Sequence, residues 1–398
     1  MRLQPRATLT LGRHSPSQEH MFHWGNGVGK RHLTISHTGD ALLLQDLNEL
    51  GGTRVKVLAK KKKRHPLTRQ RINNLVSLRQ ILGLAKNALP QEEALALIRQ
   101  VNTMEWSAKL RPRDDRGLPG GLLRIPDHVT PIILGDLHAN LNNLLTALSV
   151  NGFLSALQEG SACLILLGDS VHCELGYCLA EMDSSMVMMD TIFRLMTLFP
   201  QRVFYLMGNH DSFGKDVFKG GVPQGELWRD HLLDVRGQAY VEEMSQFYQS
   251  LPVVAVGKDF LACHASPPNA PVSEEMIVNL YKYVGLSRVL TWNRLRSTRH
   301  PGGYVGWDVK HFRETFRLPV DTPFIVAHTP LNREGTLWTH VSGISNHHIV
   351  YSGRAHQLSL FTRVGGQVVP LVYFSDGIQE VLAEMDMLEM MANHEVNE

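Results

Sequence analysis

Three hundred and ninety-eight residues, 43% of them hydrophobic and 20% charged, can bury a sizeable core, which excludes disordered, collagen-like and small disulfide-stapled chains. A formal net charge of +2 argues against a surface built throughout for nucleic acid or membrane, and four cysteines (Cys163, Cys173, Cys178, Cys263) are too few for a disulfide framework and point to a reducing compartment. Histidine is the unusual residue, 20 in all, and imidazole is both the commonest metal ligand and the acid–base group of neutral pH.

The opening residues Met1-Arg2-Leu3-Gln4-Pro5-Arg6 lead into no apolar stretch, and no run of roughly 18 apolar residues follows to span a bilayer, so a cytoplasmic protein is expected. Apolar residues alternate on both sides of His37-Thr38-Gly39-Asp40, which predicts a β-hairpin. Around it, Gly12-Arg13, Gly29-Lys30-Arg31-His32 and the stretch from Asp46 to Val55 stand in an order that resembles a forkhead-associated (FHA) domain. That resemblance implies a small β module over 1–58, degenerate for phosphothreonine: Gly29 stands where the contacting Ser belongs and Gly51 where the Asn belongs. An unrelated β-hairpin region is the alternative.

Between Leu50 and Gln91 there is no Asp or Glu, so the small net charge hides a basic belt. Its densest part, Lys60, Lys61, Lys62, Lys63 and Arg64, reads as a solvated linker or as a seat for an anionic partner. Ile72, Leu75, Val76, Leu78, Ile81 and Leu82, then Ala94, Leu95, Leu97, Ile98 and Val101, recur at helical spacing and predict two amphipathic helices split at Pro90. Residues 59–125 are therefore read as a basic helical linker region ending in the irregular stretch 111–121.

From Pro131 the pattern changes to short apolar runs alternating with helical stretches. Runs 131–134, 162–167, 202–207, 259–263 and 323–327 read as buried parallel strands, while 349–352, 358–364 and 368–374 read as antiparallel strands, the last two joined through Gly365-Gly366. Met182, Met186, Met189, Phe193 and Met196 form a helical core stripe. Residues 126–375 make the main domain, and 376–398 an acidic, Met-rich amphipathic helix.

Each of the first five strands ends in a polar cluster: Gly135-Asp136-Leu137-His138, Gly168-Asp169, Gly208-Asn209-His210-Asp211, Cys263-His264 and Ala327-His328. Ligands gather beyond the carboxyl ends of strands in α/β sheets, so five such ends can converge on one site. Together they offer carboxylates (Asp136, Asp169), an amide oxygen (Asn209) and imidazoles (His138, His264, His328), a donor set suited to Mn, Fe or Zn. A glycine before each acid frees the strand to turn sharply. Asp136 and His138, two apart on extended chain, can grip one ion together.

The order GDxH, GD, GNH[DE], H, H over residues 128 to 375 resembles the calcineurin-like metallophosphoesterase superfamily. The resemblance implies an α/β (α+β) fold, a sandwich of two mixed sheets flanked by helices, holding two divalent metal ions. It implies that Asp136 and His138 hold the first ion, Asp169 bridges, and Asn209, His264 and His328 complete the second. A hydroxide between the ions would attack phosphorus in line, and His210 would protonate the leaving oxygen. The last cluster, Ala327-His328-Thr329-Pro330, lacks the second histidine of many nuclease members and so is similar to the phosphoprotein phosphatase branch and its nucleotide-tetraphosphatase relatives.

That branch reads GDxVDRG where this chain reads Gly168-Asp169-Ser170-Val171-His172-Cys173-Glu174. His172 replaces the acid that orients the general acid, and Cys173 replaces a phosphate-binding arginine. The catalytic set is then His210 with its neighbour Asp211, His172, and Arg299 as the phosphate clamp, with Arg294 or Arg296 as the alternative and Lys215 as a further candidate. Cys173 and Cys178, near this loop, are expected to be buried packing residues, with a metal or redox role as the alternative. The expected activity is that of a protein phosphatase on phosphoserine, phosphothreonine or phosphotyrosine in a phosphoprotein or phosphopeptide. A dinucleotide polyphosphate hydrolase and a non-catalytic phosphoprotein-binding scaffold are the alternatives.

Overall fold

The computed structural model describes residues 8–11, 33–37, 42–46, 69–82, 88–106, 108–174, 177–375 and 377–379. In chain order these form β1 (Thr8–Leu11), β2 (Leu33–His37), β3 (Leu42–Asp46), α1 (Arg69–Leu82), α2 (Gln91–Trp106), β4 (Leu122–Arg124) and β5 (Thr130–Leu134). Next come α3 (Leu141–Ser149), α4 (Phe153–Glu159), β6 (Ala162–Leu166), α5 (Asp183–Leu198), β7 (Val203–Tyr205), α6 (Gln224–Arg236), α7 (Gln238–Ser250), β8 (Val254–Gly257) and β9 (Phe260–Cys263). The chain continues through α8 (Glu274–Val278), α9 (Val284–Trp292), α10 (Gly306–Thr315), β10 (Phe324–Val326), β11 (Leu337–Trp338), β12 (His347–Val350), β13 (Gln357–Val364) and β14 (Gln367–Phe374).

The strands build two mixed sheets, β1-β2-β3-β14-β13-β5-β6-β7 and β11-β12-β10-β9-β8-β4. Alternation along each strand explains the layering. In β5 and β6, Ile132, Leu134, Leu164 and Leu166 face a helix-covered core, whereas Ile133, Cys163 and Ile165 face a second core shared with Ala255, Phe260, Ala262 and Ile325 of the other sheet. The outer face of the second sheet buries Val254, Val256, Leu261 and Phe324 against Ile277, Leu290 and Phe312. Both faces of the central strands are therefore dry, which is why their sequences are continuous apolar runs.

The predicted strands occur within a residue or two of their expected bounds, and they are divided between two mixed sheets, as the resemblance implied. β12 runs parallel to β10 on one side and antiparallel to β11 on the other, away from the β13–β14 hairpin. The hairpin β8–β9 adds a strand that the 259–263 reading missed, and β13–β14 turns through Gly365-Gly366, both at positive φ, as expected. The helices predicted around Pro90 are α1 and α2, and their stripe of Leu75, Leu78, Ala94, Ile98 and Val101 is buried in the helix-side core. The described amino-terminal strands β1, β2 and β3 extend the first sheet, β3 pairing with β14 through Leu43 and Leu42. The FHA-like positions Arg13, Gly29, His32 and Gly51, the 60–64 basic run and residues 380–398 of the carboxyl-terminal helix lie outside the described residues. Among the described residues no helix is long and apolar enough to cross a membrane.

Candidate metal centre

The parallel strands β5, β6 and β7 of one sheet and β9 and β10 of the other end on the same side, and the two sheets are joined there by backbone. Asp136 bridges Tyr351, and the Ser352 N–H donates to the Asp136 carbonyl at 2.9 Å. Gly135 is needed for close approach: a Cβ there would strike the Val350 carbonyl. Gly168 is needed for conformation as well, lying at φ 92° with Gly208 packed against it. Asp169, His138, His172 and His328 also adopt positive φ without being glycine. Such backbone costs about 1–3 kcal/mol per residue and persists where the surroundings over-determine it, commonly at functional sites.

Asp136, His138, Asp169, Asn209, His264 and His328, the six ligands expected from the sequence, are all buried. Two groups of donor atoms emerge, Asp136–His138–Asp169 and Asp169–His264–His328, with Asp169 common to both. The His264 Nδ1–H donates to the Leu167 carbonyl at 2.7 Å, which aims Nε2 at Asn209 Oδ1 (3.0 Å) and Asp169 Oδ2 (3.4 Å). His138 is fixed in the same way: its Nδ1 faces the carbonyls of Val171 and His172 at 3.3 and 3.1 Å, leaving Nε2 toward Asp136 at 3.8 Å. Backbone carbonyls holding the far ring nitrogen are the usual outer support of metal-binding imidazoles.

The electrostatics fit a cation. Burial lifts the Asp136 carboxyl to about 6, whereas at Asp169 the charges of His264 and His210 outweigh burial and hold the carboxyl well below its ordinary range. Burial works to lower His264, but the charge of Asp169, its hydrogen bond and the charge of Asp136 raise it to about 9. His328 is pressed well below its usual range by burial and by the charge of His264, and its buried Nε2 has no hydrogen-bond partner. An orphaned neutral imidazole nitrogen beside two carboxylates, an amide oxygen and two further imidazoles suits a divalent Mn, Fe or Zn ion.

His210 lies beside this cluster. Its backbone N–H donates to Asp169 Oδ1 at 2.7 Å, its Nδ1 stands 3.1 Å from Nδ1 of His172, and burial lowers it to about 4. His172 therefore occupies the place of the expected orienting acid. Asp211 accepts from the N–H groups of Gly208 (2.7 Å) and Asp169 (3.1 Å) and from the Tyr205 hydroxyl (2.7 Å). Those bonds tie the loops after β6 and β7 together, and burial and the nearby Asp169 raise its carboxyl to about 7.

Arg299 is exposed, and among the described residues no contact brings it to the cluster. Arg294 is the arginine that reaches it, donating to Thr329 Oγ1 at 3.2 Å beside His328 and within the field of Asp136, Asp169 and Glu174. Glu174 and Lys219 were not anticipated. Glu174 stands 3.5 Å from His138, pairs with Lys219 and accepts from the Tyr351 hydroxyl at 3.2 Å. Burial works to raise it, but His138 and Lys219 bring it down to about 2. Lys219, rather than Lys215, is thus the lysine at the rim. Cys173 and Cys178 are not packing thiols: they form a disulfide.

Residues 130–357, more than half of the chain, match the family model of calcineurin-like phosphoesterases. Among curated proteins none matches the sequence. A solved serine/threonine phosphatase from Saccharomyces cerevisiae, described as similar to human phosphatase PP5, is 15% identical with TM-score 0.53, over 72% of this chain and 90% of that one. A cold-active protein-tyrosine phosphatase from a psychrophilic Shewanella is 14% identical with TM-score 0.41, over 86% of this chain and 95% of that one. Two mixed sheets whose strand ends deliver shared carboxylates and imidazoles to one buried centre define a phosphoesterase hydrolase of the kind that uses divalent metals. The chain belongs to the calcineurin-like phosphoesterase family.

Proposed function

We propose that this protein is a metal-dependent phosphomonoesterase acting on phosphoproteins. The observation that carries the reading is the pair of donor groups sharing Asp169, with His210 hydrogen-bonded to that same carboxylate. Asp136, His138 and Asp169 would hold one ion, and Asp169, Asn209, His264 and His328 the other. Bound there, two divalent ions supply the Lewis acidity that neutralises phosphoryl oxygens and lowers the pKa of water. The chain's own residues do the rest. Arg294 binds the phosphate and fixes its orientation, with Lys219 adding positive charge at the rim. His210, steadied through Nδ1 by His172, delivers a proton from its other ring nitrogen to the departing oxygen. Asp211 and Tyr205 keep Asp169 and Asn209 in register.

The phosphoprotein substrate is supported by the likeness of fold to a serine/threonine phosphatase over 90% of that enzyme. With Mn²⁺, the purified protein is expected to hydrolyse p-nitrophenyl phosphate and phosphoserine or phosphotyrosine peptides faster than a dinucleoside tetraphosphate, and Asp136→Asn to abolish all of it. Faster turnover of the tetraphosphate would replace the substrate class, and a fully active Asp136→Asn would sink the metal-centre mechanism.

A further inference from the structure

We propose that Cys173 and Cys178 form a redox-modification site that sets the competence of the metal centre through His172 and Glu174, the residues that flank Cys173. The two other cysteines, Cys163 and Cys263, are buried free thiols whose pKa burial raises. Such thiols are inert, so redox chemistry in this chain is concentrated on the single half-buried pair. A scarcity of cysteine with one accessible pair is the pattern of a reversible sensor rather than of a disulfide scaffold. The pair closes a span of five residues and bears Tyr177, 87% exposed, between its halves.

Its position gives it leverage. Cys173 follows His172, whose Nδ1 faces His210 and whose carbonyl faces His138. It precedes Glu174, which contacts His138, Lys219 and Tyr351. The Cys173 carbonyl and the Leu179 carbonyl both accept from Gln224 Nε2, at 3.2 and 2.9 Å, so Cys173 and the residue after Cys178 are both docked on the first residue of α6. With the disulfide closed, His172 and Glu174 are held against the centre; opening it removes the covalent half of that restraint.

The chemistry balances without the metals. A dithiol reductant attacks one sulfur through its thiolate, the Cys173–Cys178 bond breaks, the released thiolate takes a proton, and the reductant's second thiol resolves the mixed disulfide. In reverse, a peroxide oxidises one thiolate to a sulfenic acid, the second thiol displaces water, and the disulfide re-forms.

The effect on turnover rests on the phosphatase reading, whereas the pairing itself does not, so the test reads both. The Mn²⁺-loaded protein is treated with hydrogen peroxide or with a phosphine reductant, desalted, and divided. Alkylation under denaturing conditions with peptide mapping is expected to find Cys173 and Cys178 blocked after peroxide and alkylated after reduction, and chymotrypsin is expected to cut at Tyr177 faster in the reduced form. Hydrolysis of p-nitrophenyl phosphate is expected to be on the order of tenfold slower in the reduced form, as a small displacement of catalytic groups costs. Cys173→Ser and Cys178→Ser are expected to show the reduced-form rate under both treatments. Absence of a mapped Cys173–Cys178 pair, or equal rates and equal cleavage in the two forms, overturns the proposal. A mapped pair with altered cleavage in a protein that hydrolyses nothing overturns the phosphatase reading and with it the claimed effect on turnover.

Discussion

Two groups of buried histidines share this sandwich and make different uses of it. At the strand ends His138, His264 and His328 sit among Asp136, Asp169 and Asn209, while on β12 His347 and His348 sit among Phe324, Tyr304, Phe361 and the half-buried His340. Both groups are almost fully buried, and each contains an orphaned ring nitrogen, Nε2 of His328 and Nδ1 of His348. Among the described residues only the first has carboxylates close enough to complete a metal-binding group. Burial and a free lone pair do not make a ligand; a neighbouring negative charge does.

The largest effect expected from breaking that contrast is at the shared carboxylate. Asp169→Ala removes a donor from both groups together with the acceptor of the His210 N–H, so metal analysis is expected to find both ions lost together, with activity down by roughly 10³-fold or more. Retention of one ion at full occupancy would mean that the two groups are independent sites.

Next is His210, the proton donor proposed above. His210→Ala is expected to lower kcat by about 10²–10⁴-fold on a phosphoserine peptide, whose alkoxide must be protonated, and much less on p-nitrophenyl phosphate, whose phenoxide leaves unaided. Equal losses on the two substrates would mean that His210 positions Asp169 rather than donating a proton.

The candidate centre was legible in the sequence because each candidate ligand falls within a few residues of a strand end, and strand ends are announced by apolar runs breaking at Gly135, Gly168 and Gly208. The rim was not. Lys219 meets Glu174 across 45 residues and Arg294 meets Thr329 across 35, contacts made by loops folding over one another rather than by any local pattern. The left-handed backbone of His138, Asp169, His172 and His328 was equally silent, since it is imposed by tertiary packing on residues with no preference for it. The amino-terminal hairpin was visible as alternation in β2 and β3, but its pairing with β14 joins residues at opposite ends of the chain.

The rim is therefore where mutation is most informative. Arg294→Ala is expected to raise KM for phosphopeptides by about tenfold with kcat less changed, the worth of one charge-assisted contact to phosphate. Arg299→Ala is expected to leave both unchanged. The reverse result would return the clamp to the position that resemblance alone implied.

The smallest expected effect tests the other histidines and spares activity. Burial, with the charge of Arg313 adding to it, lowers His347 to about 3, and the ring accepts from the Tyr304 hydroxyl at 2.7 Å while its Nδ1 faces the Phe324 carbonyl. In the unfolded chain the same imidazole takes a proton near its ordinary pKa of about 6.5. Above that pH both states are neutral and the group contributes nothing to pH dependence. Below it the unfolded state binds more protons, so folding stability falls as the pH drops from about 6.5 toward about 3. His347→Gln keeps an acceptor for Tyr304 and removes the titration. With Mn²⁺ saturating, the loss of Tm between pH 7 and pH 5 is expected to be smaller in His347→Gln than in the parent by about 3 °C. Parallel pH profiles would mean that His347 is protonated in the folded protein, and the contrast between the two histidine groups would fail on its apolar side.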